Sequence, residues 1–373
     1  MQRSTPLPTA GPGRPENRLT ANLGRILLAI LVTLLTAVVL WQGFVFLRDS
    51  HAPKLVIALV AIVWGLGGVA LLYGVANWLV EQLPDQWRLY LQPLIFVGPA
   101  VAILLWYLAL PTFRTLWFSL LDRNSENFVG LQNYISVLSD RGMWEAFRNN
   151  LLWLAVGATL SVVLGLLIAV LADQSKFESV AKSLIFLPMA ISMVGAGVIW
   201  NFIYAVRDPA APQIGLLNAV VVSLGGKPQA WTTLIQPWNN LFLIVIVVWL
   251  QAGFAMVLFS AAIKSIPGEI IEAAEMDGAT PFEIFFQVTI PSIMGTIITV
   301  TTTVVIFTLK IFDVVIVMTG AQFGTEVIAT QFYRQYFSNR NFGFGSAIAI
   351  ILLIAVIPVM IYNLRRFREQ EAF

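Results

Sequence analysis

Cysteine is absent from the sequence and histidine occurs once, at His51. The first absence excludes disulfides, thiolate metal sites and cysteine nucleophiles. A single histidine builds neither a zinc site nor a histidine-based triad. Charge is also scarce. Charged residues make up 11% of the chain and hydrophobic residues 58%, with mean hydropathy +0.82. A soluble domain carries roughly 25% charged residues, so this chain is built for a lipid solvent. A nucleotide-binding loop is missing: Gly226-Lys227 has Val221 where the first glycine of G-x-x-x-x-G-K must stand. No G-x-S-x-G elbow occurs. Asp and Glu are nearly confined to loops, so no carboxylate pair stands at catalytic spacing inside a membrane. The sequence therefore predicts neither an enzyme nor a site for ATP hydrolysis, and neither a resident metal nor a nucleic-acid partner.

What the chain has is long apolar runs. Residues 1–25 form a breaker-rich tail containing Pro6, Pro8, Gly11, Pro12, Gly13 and Pro15, with Arg3, Arg14, Arg18 and Arg25, expected to be disordered and cytoplasmic. Ile26–Leu47 is long for a signal h-region and no small-x-small cleavage site follows, so it reads as a first span. Seven more runs are near the length that crosses ~30 Å of hydrocarbon: Leu55–Val80, Leu89–Leu110, Asn150–Leu171, Ser183–Tyr204, Leu241–Ile263, Ser292–Met318 and Gly345–Leu364. The fold class is all-α, a polytopic membrane protein of about eight helices. Both ends are basic, with Arg365, Arg366 and Arg368 after the last run, as an even number of spans requires if both termini are cytoplasmic. Two outer segments, Pro111–Arg148 with a short helix expected around Trp144 and Ala205–Asn240, are longer than simple connections.

Between the sixth and seventh runs lies an acidic stretch, Glu269 to Pro291, carrying Glu269, Glu272, Glu275, Asp277 and Glu283 with only Lys264 close by. Pro267 suits the first position of a short helix. Gly278 is free to take the positive φ that ends it. Thr280-Pro-Phe-Glu283 reads as a capping box opening a second helix that leads to Ile290-Pro291. Ala273 and Ala274 allow another surface to approach closely. A hairpin lying on lipid is the competing reading, but anionic headgroups repel this cluster. A basic protein partner fits better.

The spacing Glu272-Ala273-Ala274, three residues, Gly278, nine residues, Val288-Thr-Ile290-Pro291 resembles the EAA loop of ABC importer permeases. Val288 and Ile290 stand where that family has Ile and Leu. Ser265-Ile-Pro267, Met276-Asp-Gly-Ala279, Phe128-Val-Gly-Leu-Gln-Asn-Tyr134, Gly215-Leu-Leu-Asn218 and Phe312-Asp313 look like the carbohydrate branch, the MalF-like subunits, over about Leu89 to Arg366. The resemblance implies a type I ABC importer permease fold in the bacterial inner membrane. Residues 26–88 would form two additional helices before a core at 89–366, with a coupling loop at 264–291 and a tail at 367–373. Glu272, Ala273, Ala274, Asp277, Gly278 and Pro291 become the ATPase-coupling residues. The implied partners are a second permease in a heterodimer, two ABC ATPase subunits that bind the ATP and Mg, an extracytoplasmic binding protein, membrane lipid and a sugar. No cofactor is expected on this chain.

Polar groups inside spans are costly and face a cavity or another helix. Thr296, Thr299, Thr303, Phe307 and Lys310 share one face at helical spacing. Hydroxyls beside aromatic faces suit a sugar. The resemblance implies a substrate site among Gln251, Phe254, Phe307, Thr308 and Ile311, and Asn201 and Tyr204 join it as polar residues of the fifth run. The competing reading has these threonines bonding their own helix carbonyls. Lys310 and Asp313, three apart on one expected helix, are gating candidates or simply neutralise each other. The function expected is uptake of an oligosaccharide or sugar-like osmolyte, an α-glucoside such as maltose, trehalose, sucrose or glucosylglycerol. The alternative is an ion-coupled secondary transporter, for which Lys310 and Asp313 are the candidate pair, although no repeat relates the two halves. A polytopic glycosyltransferase lacks the carboxylates.

Overall fold

The computed structural model describes residues 16–371. Those residues are helical almost throughout, with one isolated antiparallel bridge, Leu121–Phe128. Two units separate within the chain, one ending at Pro111 and one beginning at Thr112.

In the first unit, α1 (Glu16–Asp49) and α2 (Lys54–Glu81) are uninterrupted. The tail expectation is corrected here. Residues 16–25 are helical, with no proline between Pro15 and Pro53 and mostly good helix formers from Glu16 to Leu23. Residues 1–15 lie outside the described residues. Trp64 Nε1 donates to Leu40 O at 3.2 Å, laying the indole over Gly43. The remaining apolar side chains of α1 and α2 are largely exposed, as lipid-facing helices are. The third helix, α3 (Asp85–Leu104), absorbs Pro93 and Pro99 and is followed by a π turn at Leu105–Ala109.

The second unit is built around α9 (Trp238–Lys264), whose Leu243, Ile246, Val247, Ala255, Met256 and Phe259 are fully buried. Before it come α4 (Gln132–Ser139), α5 (Arg141–Asp173), α6 (Glu178–Phe186), α7 (Met193–Ile203) and α8 (Leu216–Ser223). After it come α10 (Gly268–Met276), α11 (Pro281–Ser292), α12 (Met294–Leu309), α13 (Asp313–Thr319), α14 (Ile328–Tyr333) and α15 (Phe342–Glu371). Helix α5 packs along α9 at Gly165, where a Cβ would collide with Ala255 and lie 3.1 Å from Ala252 O. The last helix continues through the expected tail to Glu371.

Among the described residues six helices are long and apolar enough to cross a membrane, and up to eight spans result if each of two bent pairs counts as one. The bend in the fifth run and the break at 310–312 in the seventh depart from the straight spans expected, whereas the break after Pro291 falls where the sequence ends the helix leading to Ile290-Pro291. The fifth span turns by 105° between α6 with its 3₁₀ extension and α7. Pro188 sits in the 3₁₀ turn, and Ser192 restarts the chain as an N-cap, its Oγ accepting from Gly195 N at 3.0 Å. The seventh bends by 71° between α11 and α12, and breaks again at 310–312. The short helix expected around Trp144 is instead the start of α5. Asp140 caps that helix by accepting from Met143 N at 2.8 Å, and no breaker intervenes before the span. In the outer segment Asn218 ties α8 down, donating to Ala205 O and Gln229 O and accepting from Gln229 N. Asp122 accepts from Asn127 Nδ2 and Glu126 N, and these donors hold its carboxyl below the usual range.

Candidate functional site

The acidic stretch folds as two helices joined by one tight turn. Pro267 precedes α10 as its N-cap rather than occupying its first position. The other end carries a full Schellman closure: Ala279 N donates to Ala274 O and Gly278 N to Glu275 O, both at 3.0 Å, with Gly278 at φ +81°. Thr280 then caps α11 reciprocally. Glu283 N donates to Thr280 Oγ1 at 3.3 Å, and Thr280 N donates to Glu283 Oε2 at 2.8 Å. The turn between α10 and α11 is thus closed by bonds within the segment from Ala274 to Glu283.

The face this geometry presents is acidic and unpaired. Glu269, Glu272, Glu275 and Asp277 are exposed, and none has a hydrogen bond or ion pair among the described residues. The nearby cation, Lys264, is taken by Glu178 at the start of α6. Apolar side chains stand beside the acids. Met276 is 88% exposed and Phe282 73%, and the Phe282 ring lies 4.6 Å from that of Phe286. Sequence reasoning found the acids and missed this apolar part, whose signal was three phenylalanines, Phe282, Phe285 and Phe286, within five residues of an acidic connecting segment. Pro291 lies within the last turn of α11, two residues before the bend at Ile293.

At the end of α9 that leads toward α10 a polar cluster, of which only the α5–α6 charges stand out in sequence, joins three helices. Lys182 on α6 reaches Asp173 at the end of α5, Glu178 on its own helix, and the Ser260 hydroxyl on α9. Ser260 Oγ donates to Asp173 Oδ1 at 2.7 Å. Lys264, one turn beyond Ser260 and the last residue of α9, binds Glu178. The segment leading into α10 is therefore fastened to both neighbouring spans.

The residues expected to meet substrate divide into two groups. Thr308, Ile311 and Tyr204 are buried and committed to the fold. Thr308 Oγ1 donates to Val304 O at 2.8 Å, Tyr204 OH donates to Phe242 O at 2.9 Å, and Ile311 is in the central core. Gln251, Phe254 and Phe307 are only half-buried, and Asn201 is exposed with its amide 3.4 Å from Val317 O. Phe307 packs on the same core as Tyr204 and Ile311, while Phe254 packs on a second core nearer the α10 end. Thr299, Thr303 and Thr308 each donate to the carbonyl four residues back. Thr302 also reaches Asn363 Oδ1 at 3.0 Å.

Lys310 and Asp313 do not share a helix. The chain unwinds between them, and no ion pair joins them. Lys310 ends α12 and Asp313 opens α13, so each charge complements the dipole of its own helix end. Both side chains are exposed. The carbonyl freed by the break, Leu309 O, accepts from Asn150 Nδ2 at 3.2 Å, and Ile328 N donates to Asn150 Oδ1. Asn149 and Asn239 hold the loop after α13 in the same way, donating to Gly324 O at 2.8 Å and Phe323 O at 2.6 Å.

Comparison with known proteins agrees with this architecture. A family described as "Binding-protein-dependent transport system inner membrane component" matches residues 161–369. The osmoprotective compounds uptake permease protein GgtC of Synechocystis is 54% identical over 277 residues, 74% of this chain and 99% of that one. The alpha-glucoside transport system permease protein AglF of Rhizobium meliloti is 49% identical, over 75% of this chain and 84% of that one. Among solved structures, a bacterial ABC transporter involved in import of the polysaccharide alginate superposes with TM-score 0.66 at 20% identity, over 76% of this chain and 99% of that one, which shows the shared fold.

Proposed function

The chain belongs to the binding-protein-dependent transport system inner membrane components, and on that premise we propose that it is the permease subunit of an ATP-driven importer for an α-glucoside or a sugar-like osmolyte. The unpaired acidic face of α10 carries the proposal. A membrane protein with no nucleotide-binding loop needs an outside source of work. A rigid, exposed helix with four unpartnered carboxylates is a place to receive it from a basic cleft. ATP and Mg are held by two partner ATPases, and this chain performs no hydrolysis. A second permease completes the path, and an extracytoplasmic binding protein delivers the sugar. The chain sits in a bacterial inner membrane with both termini cytoplasmic.

Motion has a physical route. Closure of the ATPases draws α10 toward its counterpart on the second permease. The polar cluster of Ser260, Asp173 and Lys182 passes that displacement to α5 and α6, and α11 passes it into α12. The unwound residues 310–312, with Lys310 and Asp313, are where the seventh span yields. Half-buried Gln251, Phe254 and Phe307 offer an amide and two ring faces to a sugar. The substrate class rests on the relatives, named for osmoprotective compounds and for alpha-glucosides.

The test is isolation of the full chain with its co-purifying proteins, followed by reconstitution in vesicles. ATP-dependent uptake of an α-glucoside that requires the binding protein is the expected result. Uptake by this chain alone, driven by an ion gradient, would overturn the reading.

A further inference from the structure

We propose that the groove on the outer side of the first turns of α5 binds the headgroup of an ammonium-bearing zwitterionic phospholipid. It lies at the end of α9 opposite to α10, and it does not depend on what the protein transports. The groove has a volume of about 730 Å³, and its lining includes Arg141, Trp144, Glu145, Arg148, Leu151 and Gln236.

Depth comes first. Helix α5 carries Arg141, Glu145, Arg148, Asn149 and Asn150, and then turns apolar from Leu151 to Ala172. Those 22 or so residues span roughly 33 Å at 1.5 Å each, the thickness of the hydrocarbon layer. Leu151 therefore stands at the hydrocarbon boundary, Arg148 nearly one turn above it, and Glu145 and Trp144 a turn above that. The order is apolar, cation, anion with aromatic face. A zwitterionic phospholipid presents acyl chain, phosphate and ammonium in the same order, the last two separated by a short bridge comparable to one helical turn of about 5.4 Å.

The groups are held in place. The Gln236 side chain accepts from Arg148, donates to Glu145 Oε1 at 2.6 Å, and donates to Gly324 O. One amide thus fixes the cation and the anion relative to each other. Arg148 keeps the rest of its guanidinium fork for a phosphate. Glu145 is half-buried, and its second oxygen has no partner among the described residues. Trp144 is 59% exposed, with its Nε1 donating to Leu138 O at 2.7 Å and its ring edge-on to Phe147. That leaves a fixed aromatic face for an ammonium. Below, exposed Leu151, Leu160, Val163 and Leu167 continue down the helix as a surface for an acyl chain. An anionic headgroup has nothing to offer Glu145, and a saccharide makes no use of the apolar run.

Native mass spectrometry of the delipidated full chain tests this, with phosphatidylethanolamine and phosphatidylglycerol of identical chains as probes. The wild type should retain the first several-fold better. Glu145→Gln keeps an acceptor for Gln236 and should bring the two lipids level. Arg148→Ala should weaken both about tenfold, the loss of a charged hydrogen bond. Lys227→Ala, at an exposed side chain outside the groove, is the control for general charge loss and should leave binding unchanged. Equal retention of both lipids by the wild type, an unchanged preference in Glu145→Gln, displacement of lipid by a free α-glucoside, or loss of binding once co-purifying proteins are restored would each overturn the proposal.

Discussion

Ser260 Oγ donates to Asp173 Oδ1 at 2.7 Å, joining the C-terminal ends of α9 and α5 across 87 residues of chain. The same carboxylate takes the Lys182 ammonium from α6. Asp173 and Lys182 are both mostly buried, with side chains 13% and 18% exposed. A pair this enclosed costs most when one partner is removed, because the other charge is stranded. Lys182→Met should therefore destabilise more than Lys182→Met combined with Asp173→Asn. A double-mutant cycle on thermal unfolding of the full chain should show a coupling of about 1–3 kcal/mol. Simple additivity would mean the cluster does not fasten the three helices.

Gly278 has φ +81° and open space around the position of a Cβ, so substitution there meets a backbone penalty and no clash. Gly278→Val should strain the turn by about 1–2 kcal/mol, and Gly278→Asn should be tolerated far better. Transport by the assembled protein should follow the same order. Equal activity of the two variants would separate the turn from the coupling.

The half-buried and buried members of the expected sugar site should behave differently. Phe307→Ala removes an accessible ring and should raise the KM for transport severalfold, about 1 kcal/mol or more of lost contact. Thr308→Val removes a hydroxyl already spent on Val304 O and should leave KM unchanged. Tyr204→Phe should lower thermal stability by about 0.5–1.5 kcal/mol through the lost bond to Phe242 O, with no change in KM. Uptake kinetics and melting curves distinguish these outcomes. A KM shift for Thr308→Val would place that face in contact with substrate.

Local chemistry was legible in the sequence. The capping box at Thr280 and Glu283 and the turn at Gly278 each depend on residues within five positions, and both form as their types require. The all-helical, many-span class was legible too, because hydropathy averages over a whole helix, and the described residues hold six to eight spans against about eight expected. The breaks were less so. Pro291 marks one of them in the sequence and Pro188 stands at another inside a run that reads as straight, whereas the unwinding at 310–312 has no proline or glycine. It is held by Asn150, from 159 residues away in the chain. The same applies to Lys310 and Asp313, which a regular helix would have paired. Buried Asn149, Asn150, Asn239 and Asn240 read in sequence as the ends of spans, and their work on distant carbonyls appears only in three dimensions. The Ser260 hydroxyl lay inside an apolar run and gave no sign of its two charged neighbours.

The most direct test of the central claim is substrate-stimulated ATP hydrolysis by the reassembled importer carrying Glu272→Lys. Glu272 is exposed and unpartnered, so the fold, membrane insertion and sugar binding should be retained. Its replacement by a cation facing a basic cleft should reduce the stimulated rate about tenfold or more, toward the basal level. Normal stimulation in that variant would contradict the assignment of α10 as the surface through which this protein is driven.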